Sequence, residues 1–205
     1  MTTYVVLLRA IGPITHKIMS MAQWREAVTA AGFINPETYV ATGNMIVESE
    51  LGIADVSLRM NEIVIGLGLG PGNTAVVRTA RQMQRLLAAN PLPDAAVANP
   101  QALAVYFFAA ARPNFGWIGD YAGPETIHIE GTHLIVDYVT PVSSSRLPVI
   151  IEKKSGTVTA RNWNTVRRLA EKAAARRLVP VPRWGQEQKV LFLFLNPCPA
   201  STTQR

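Results

Sequence analysis

The first hundred residues alternate between two hydrophobic periods, one typical of strands and the other of helices. Short apolar runs bounded by turn residues predict four strands, at residues 4–8, 38–41, 45–47 and 75–78. Apolar positions at helical spacing predict three helices, at residues 21–31, 53–67 and 81–89. The first six elements follow the order strand, helix, strand, strand, helix, strand, which is the ferredoxin-like βαββαβ arrangement.

Turn and cap residues support these boundaries. Ser20 is a suitable N-cap for the first helix, and Gly32 ends it. The segment Thr42-Gly43-Asn44 separates the second and third strands, and glycine and asparagine tolerate the positive φ that a tight hairpin needs. The sequence therefore predicts an antiparallel pair at this point.

The same order partly recurs after the proline-rich residues 91–100. Strand patterns are found at residues 103–109, 126–129 and 133–138, and helical patterns at 115–121, 147–154 and 163–178. A terminal strand is expected near residues 188–195, followed by a tail. The predicted fold class is α+β. A ferredoxin-like N-terminal half at 1–95 precedes a second, less regular α+β half at 96–188, and 189–205 form a C-terminal strand and tail.

Length and composition bound the class of protein. The chain has 205 residues, of which 48% are hydrophobic and 17% charged, enough for one large domain or two small ones. The apolar run at 190–195 is much shorter than the roughly 20 residues of a membrane span, and the start lacks the pattern of a signal peptide. We therefore expect a cytoplasmic protein without membrane contact. Cys198 is the one cysteine, so no internal disulfide, zinc site or other metal centre is predicted.

The formal charge of +6 favours anionic partners. Arginine outnumbers lysine fifteen to five, which fits two explanations: selection for bidentate anion binding, or the codon bias of a genome rich in alanine and arginine codons. Charge alone does not decide between them.

Four segments carry a resemblance to a known family. They read "YVVLLR" from Tyr4, "TYVATGNMIVES" from Thr38, "VRTARQMQRLLAANPLP" from Val77 and "TARNWNTVRRLAE" from Thr159. With these segments the chain resembles the DUF1697 family, bacterial proteins without an assigned function. The resemblance implies two α+β subdomains, and it brings no catalytic residues or cofactor with it.

Two loops depart from the family pattern. Family members typically continue the first strand into a glycine-rich loop of the form RGINVGG, whereas this chain reads "RAIGPITHK" and contains His16. Near the second hairpin, the family's Ser-Lys-Leu is here Ser145-Arg146-Leu147. These departures fit either a specialised paralogue or neutral drift.

The segment "TARNWN" contains the most informative candidates. Asn162 is a suitable N-cap for the following helix, and Trp163 is expected in the core. Arg161 stands beside a helix start, where free N–H groups and a partial positive charge favour anions. The alternative is that Arg161 pairs with a carboxylate or with strand-end carbonyls between the halves.

Other loop residues are candidates for the same site. Arg9 ends the first strand, Asn44 lies at the hairpin tip and Arg146 precedes a helix, so these side chains would converge if the two halves face each other. His16 is the candidate for proton transfer, because histidine titrates near neutral pH. His128 and His133 flank a turn and are expected to face solvent, without nearby metal ligands.

These observations lead to one main hypothesis and two alternatives. The protein is expected to bind a small organic or anionic molecule between its halves, either as a binding protein or as a metal-free, cofactor-independent enzyme of a specialised pathway. An alternative is a nucleic-acid-binding accessory protein that uses a basic helix face, formed by Arg167, Arg168, Lys172, Arg176 and Arg177. The other is a homodimer formed through the terminal strand.

The glycine-rich residues 66–72 are not a dinucleotide motif, because they follow a helix and lead into a strand.

Overall fold

Residues 1–139 and 141–176 are described by the computed structural model of the protein. The first half contains four strands, β1 Thr2–Leu8, β2 Ile34–Tyr39, β3 Asn44–Ser49 and β4 Ala75–Thr79. Its helices are α1 Thr15–Ile18, α2 Met21–Ala30, α3 Ile53–Gly66, α4 Ala80–Ala89 and α5 Pro93–Ala98. The predicted βαββαβ order is confirmed, with α2 and α3 as its two helices.

The second half repeats the strands of the first. Its strands are β5 Leu103–Phe108, β6 Thr126–Glu130, β7 His133–Asp137 and β8 Val158–Asn162. Its helices are α6 Leu147–Ser155 and α7 Trp163–Ala175, and short 3-10 helices cover Ile118–Asp120 and Val142–Ser144. The helical part is less regular than in the first half, because a 3-10 turn stands where the first half has α2.

Two four-stranded antiparallel sheets form the framework, with strand orders β2-β3-β1-β4 and β6-β7-β5-β8. The two sheets match strand for strand, and their registers match as well. Val5 of β1 lies opposite Arg78, and Val105 of β5 lies opposite Arg161. A residue of one half therefore has a defined counterpart in the other.

The two sheets share a layer of helices. Helices α4 and α7 pack against each other. Helix α7 contacts strands of both sheets, and α4 contacts β1 and β4 and shares one apolar cluster with β5 and β7. The apolar cluster between the sheets includes Val5 and Leu7 of β1, Phe107 of β5, and Trp163 of α7. Alternate residues of β1 point to the opposite face, as period-two alternation requires, and pack under α2 and α3. The halves are therefore joined by a common core.

Several elements differ from the sequence-based predictions. Strand β8 was not predicted, because its second half is the polar Arg161-Asn162 pair that precedes a strong helix signal. Strand β2 begins earlier than predicted, at Ile34, and crosses Asn35 with a positive φ of 50° and a shift in register. An Asn-Pro pair normally indicates a turn, so the sequence did not indicate that β2 begins before it. The short helices α1 and α5 were also not predicted.

The predicted terminal strand at 188–195 and the tail at 196–205 lie outside the described residues, as do the last positions of the predicted helix at 163–178. No helix in the described ranges combines the length and the apolar character that crossing a membrane requires.

Candidate functional site

The guanidinium of Arg161 lies where the two halves meet. Its donors reach five acceptors at 2.6–3.1 Å, namely Asn44 Oδ1, Thr159 Oγ1 and the carbonyls of Leu8, Thr42 and Ala160. A guanidinium has five N–H groups, so every one of them is used. Arg161 and Asn44, both predicted from the sequence, are thus in direct contact, and the strand-end carbonyl of Leu8 belongs to the other half.

Arg9 follows Leu8, whose carbonyl accepts from Arg161, and Arg161, Asn44 and Arg9 together define what we call the Arg161 seam. The Arg9 guanidinium donates to the carbonyl of Gly72 and forms an ion pair with Glu152 of α6. The Arg161 seam therefore brings together three of the predicted site residues. Their polar groups bond to the protein itself.

The other predicted residues lie elsewhere. Asn162 caps α7 by accepting from the Thr165 N–H at 2.9 Å, and its amide donates to Gln101 at 2.7 Å. Arg146 is exposed immediately before α6, and His16 is half-buried in α1. Within the described residues, no hydrogen bond links Asn162, Arg146 or His16 to Arg161.

A second buried arginine, Arg78 on β4, was not among the predicted site residues. It is 8% exposed, and its donors make three hydrogen bonds at 2.8–2.9 Å, to His133 Nε2 and to the carbonyls of Val77 and Phe108. Its guanidinium also lies 5.8 Å from the centre of the Phe107 ring. Burial lowers the pKa of Arg78 to about 10, so the side chain is charged at neutral pH. In the described part of the chain, two of its five N–H groups have no acceptor.

The prediction that His133, the partner of Arg78, faces solvent is wrong. His133 is 8% exposed, because period-two alternation places it on the same inward face of β7 as Ile135. Its Nε2 accepts from Arg78, so its Nδ1 carries the hydrogen and donates to the carbonyl of Glu130 at 3.2 Å. Burial, and then the Arg78 charge, lower the pKa of His133 to about 4. The imidazole is therefore neutral and does not compensate Arg78.

Cavities lie on both sides of this pair, which we call the Arg78 seam. Arg78 lines a cavity of about 220 Å³ between α3 and the end of β5, together with Ser57, Leu58 and Ala109. His133 lines a cavity of about 280 Å³ between α4 and the β6–β7 turn. The Arg78 seam thus combines a buried charge, free donors and open space.

A third polar cluster lies on the outer face of the second sheet. Glu125 is buried and accepts from the hydroxyls of Tyr121 and Ser145. Desolvation raises the pKa of Glu125, but the hydrogen bonds from Ser145 and Tyr121 outweigh it and hold that pKa below its ordinary value. Ser145 Oγ also accepts from the Leu147 N–H at 3.1 Å. The cluster therefore anchors the start of α6.

The basic face of α7 is largely paired. Glu37 of β2 accepts from Lys172 at 2.6 Å and from Arg176 at 2.8 Å, and hydrogen bonds from Lys172 and Arg176 lower the pKa of Glu37. Arg168 lies 3.2 Å from Glu171. Arg177 lies outside the described residues.

Within residues 1–139 and 141–176, no group of three or more His, Cys, Asp or Glu side chains is placed to hold a metal ion.

Comparison with known proteins places this fold in a family. The model of the family described as "Protein of unknown function (DUF1697)" matches residues 1–134, and the chain belongs to that family. The structure is similar to that of the conserved bacterial protein SP0830 from Streptococcus pneumoniae, with a TM-score of 0.68 and 16% identity. The match covers 85% of this chain and 99% of that one, and it shows a shared fold. No curated protein matches the chain significantly.

Proposed function

We propose that the protein binds a small organic anion between its halves, in the cavity beside Arg78. Two observations carry this proposal: the buried guanidinium of Arg78 has two unused N–H groups among the described contacts, and Arg78 is one of the residues that line a cavity of about 220 Å³. An anion that bonds to these groups would compensate both the buried charge and the unmade hydrogen bonds.

The electrostatic argument rests on the partners of Arg78. They are a neutral imidazole and two carbonyls, so the described contacts supply dipoles but no negative charge. A buried ion without a counter-ion is costly, by several kcal/mol in typical cases. Hydrogen bonds between a guanidinium and an anion are about twice as strong as neutral ones, and they would offset this cost.

The Arg161 seam fits a ligand less well, although the sequence pointed to it first. All five N–H groups of Arg161 already bond to the chain, and Arg9 is paired with Glu152. An anion would have to displace bonds that link the two halves. We therefore assign Arg161, Asn44 and Arg9 to joining the halves, and Arg78 to binding.

Binding is also favoured over acid–base catalysis at this cavity. Nε2 of His133 is occupied by the Arg78 Nε donor, and Nδ1 is occupied by the Glu130 carbonyl. His133 therefore has no ring nitrogen free to exchange a proton with a ligand.

A panel of small organic acids, read by the shift in melting temperature, tests the proposal. A ligand at about one hundred times its dissociation constant should add about 2.7 kcal/mol of stability. Ala109 and Ala110 are both exposed, but only Ala109 lines the cavity. Ala109→Leu should therefore reduce this increment by narrowing the cavity at its rim, whereas Ala110→Leu should retain it. Stabilisation that is equal in the two variants would place the ligand elsewhere.

A further inference from the structure

The two seams are built from equivalent residues, so the contacts of Arg161 show what is missing around Arg78. Nη2 of Arg161 bonds to the carbonyl that ends β1, and Nη2 of Arg78 bonds to the carbonyl that ends β5, both at 2.8 Å. Asn44 and His133, which begin β3 and β7, each accept from the arginine Nε. Each arginine also bonds to the carbonyl of its preceding residue. These three contacts are conserved between the seams.

The two remaining contacts of Arg161 have no counterpart at Arg78. Thr159, whose hydroxyl accepts from Arg161 Nη1 at 2.7 Å, is replaced at the equivalent position of β4 by Val76, which has no acceptor. Thr42 reaches Arg161 because residues 40–43 form a four-residue turn between β2 and β3. The turn between β6 and β7 has only Gly131 and Thr132, and no carbonyl from it reaches Arg78.

The 220 Å³ cavity has an equally local cause. The backbone N–H of Arg9 donates to Thr74 at 2.8 Å, and that of Ala109 donates to Thr157 at 3.0 Å, so Arg9 and Ala109 are equivalent. The long Arg9 side chain crosses to Glu152 on α6. The methyl group of Ala109 is too short to reach across to a helix in this way, so the cavity beside Arg78 is not filled.

We infer that the ligand of the Arg78 seam is a monocarboxylate with a short apolar body, whose two oxygens accept from the two unused N–H groups of Arg78. This inference rests on the proposed function and specifies its ligand. A planar carboxylate matches a guanidinium in a bidentate pair. Arg78 is the one cation among the described residues that line this cavity, so a single negative charge balances it.

The cavity also limits the rest of the ligand. Leu58, Val77 and Ala109 contribute apolar groups to its wall, which favour a hydrocarbon body. The cavity opens to solvent past the exposed Leu58 and Ala109, so its volume sets how much of a ligand is enclosed. At about 30 Å³ for each water-sized unit, a volume of about 220 Å³ encloses roughly seven non-hydrogen atoms. That corresponds to a carboxylate group with a chain of about four further carbons.

Titration calorimetry of the full chain tests the inference, with straight-chain acids from acetate to octanoate as probes. We expect affinity to rise with chain length up to five or six carbons and then to level off, because further carbons extend past the exposed Leu58 and Ala109 into solvent. Succinate, inorganic phosphate and the uncharged pentanamide should each bind at least tenfold more weakly than pentanoate. Ala109→Leu, at the rim of the cavity, should weaken pentanoate binding at least tenfold, and Ala110→Leu should leave it unchanged.

The other outcomes separate the two claims. If succinate or phosphate binds more tightly than every monocarboxylate, and Ala109→Leu weakens that binding, the inference is wrong and the proposed function stands. Affinity that rises continuously to octanoate, or equal binding of pentanamide and pentanoate, would also overturn the inference. If no probe of the panel binds in a way that depends on Ala109, both claims fail.

Discussion

Arg78 and Arg161 occupy equivalent positions in the two halves, each on an edge strand and one residue before the N-cap of the helix that joins the two sheets. Arg161 uses five N–H groups within the protein, whereas Arg78 uses three among the described residues. The same arrangement of strands and helices therefore holds one arginine whose N–H groups are all bonded, which makes the Arg161 seam closed, and one with two N–H groups unused among the described residues, which makes the Arg78 seam open. The difference arises from a hydroxyl, a turn length and one long side chain.

Removing Arg161 should destabilise the whole molecule. Arg161→Met would leave the buried Asn44 Oδ1 without its donor and the Leu8 carbonyl with only the Thr159 hydroxyl, at 3.4 Å, and buried unsatisfied acceptors cost about 1–3 kcal/mol each. We expect the free energy of unfolding, measured in urea, to fall by about 2 kcal/mol or more. Arg168→Met provides the control, because Arg168 is 63% exposed in its side chain and exposed pairs contribute about 0.2–1 kcal/mol. Equal losses in the two variants would contradict this role for Arg161.

His133 should make stability depend on pH. The unfolded histidine takes up a proton as pH falls through about 6.5, but the folded one does so only near pH 4, so the unfolded state binds more protons between these values. Stability that is present above pH 6.5 is therefore lost as pH falls to 4, by about 3 kcal/mol for this group alone.

The matched variant replaces His133 by the residue found at the equivalent position of the other seam. His133→Asn should keep an acceptor for Arg78, as Asn44 does for Arg161, and should flatten the decline in urea stability between pH 6.5 and 4. His128→Asn should leave the decline unchanged, since His128 is 42% exposed in its side chain. An unchanged slope in His133→Asn would show that the imidazole is not the responsible group.

The two hairpin turns differ in how closely other residues pack against them, and a pair of glycine substitutions tests this difference. A Cβ at Gly43 would lie 2.7 Å from Leu8 Cβ, and φ there is +75°. At Gly131 φ is +57°, and nothing lies within 4 Å. Gly131→Ala should cost about 1–2 kcal/mol, from the left-handed backbone alone. Gly43→Ala should cost about 1–3 kcal/mol more, through overpacking, as measured by thermal and urea unfolding. An equal loss of stability in the two variants would show that the backbone at Gly43 moves away from Leu8 without a measurable energetic cost.

Sequence patterns predicted the framework better than the site. The period-two runs of β1 and β5 and the capped helices were visible because burial repeats along the chain. Arg161 was found because it stands before a strong helix start, and Arg78 stands before one too, in "VRTARQ". Aligning these two starts would have indicated their equivalence. What no periodicity encodes is the number of acceptors around each guanidinium, since Leu8 and Thr42 supply backbone carbonyls from distant segments.

The relationship between the seams also predicts that the closed one can be opened. Thr159→Val would remove the hydroxyl that Val76 lacks at the other seam, and Arg9→Ala would reproduce Ala109. The double variant frees one N–H of Arg161, since the Thr42 carbonyl still accepts another, so a second pentanoate should bind there through a single hydrogen bond and more weakly than the first, at a cost in stability of about 1–3 kcal/mol for the lost hydrogen bond. Calorimetric stoichiometry measures this directly, and Arg9→Ala alone, which keeps the Thr159 hydroxyl on Arg161, should remain at one site. A folded double variant that still binds one pentanoate would show that the four-residue turn over Arg161, with its Thr42 carbonyl, is sufficient to keep that seam closed.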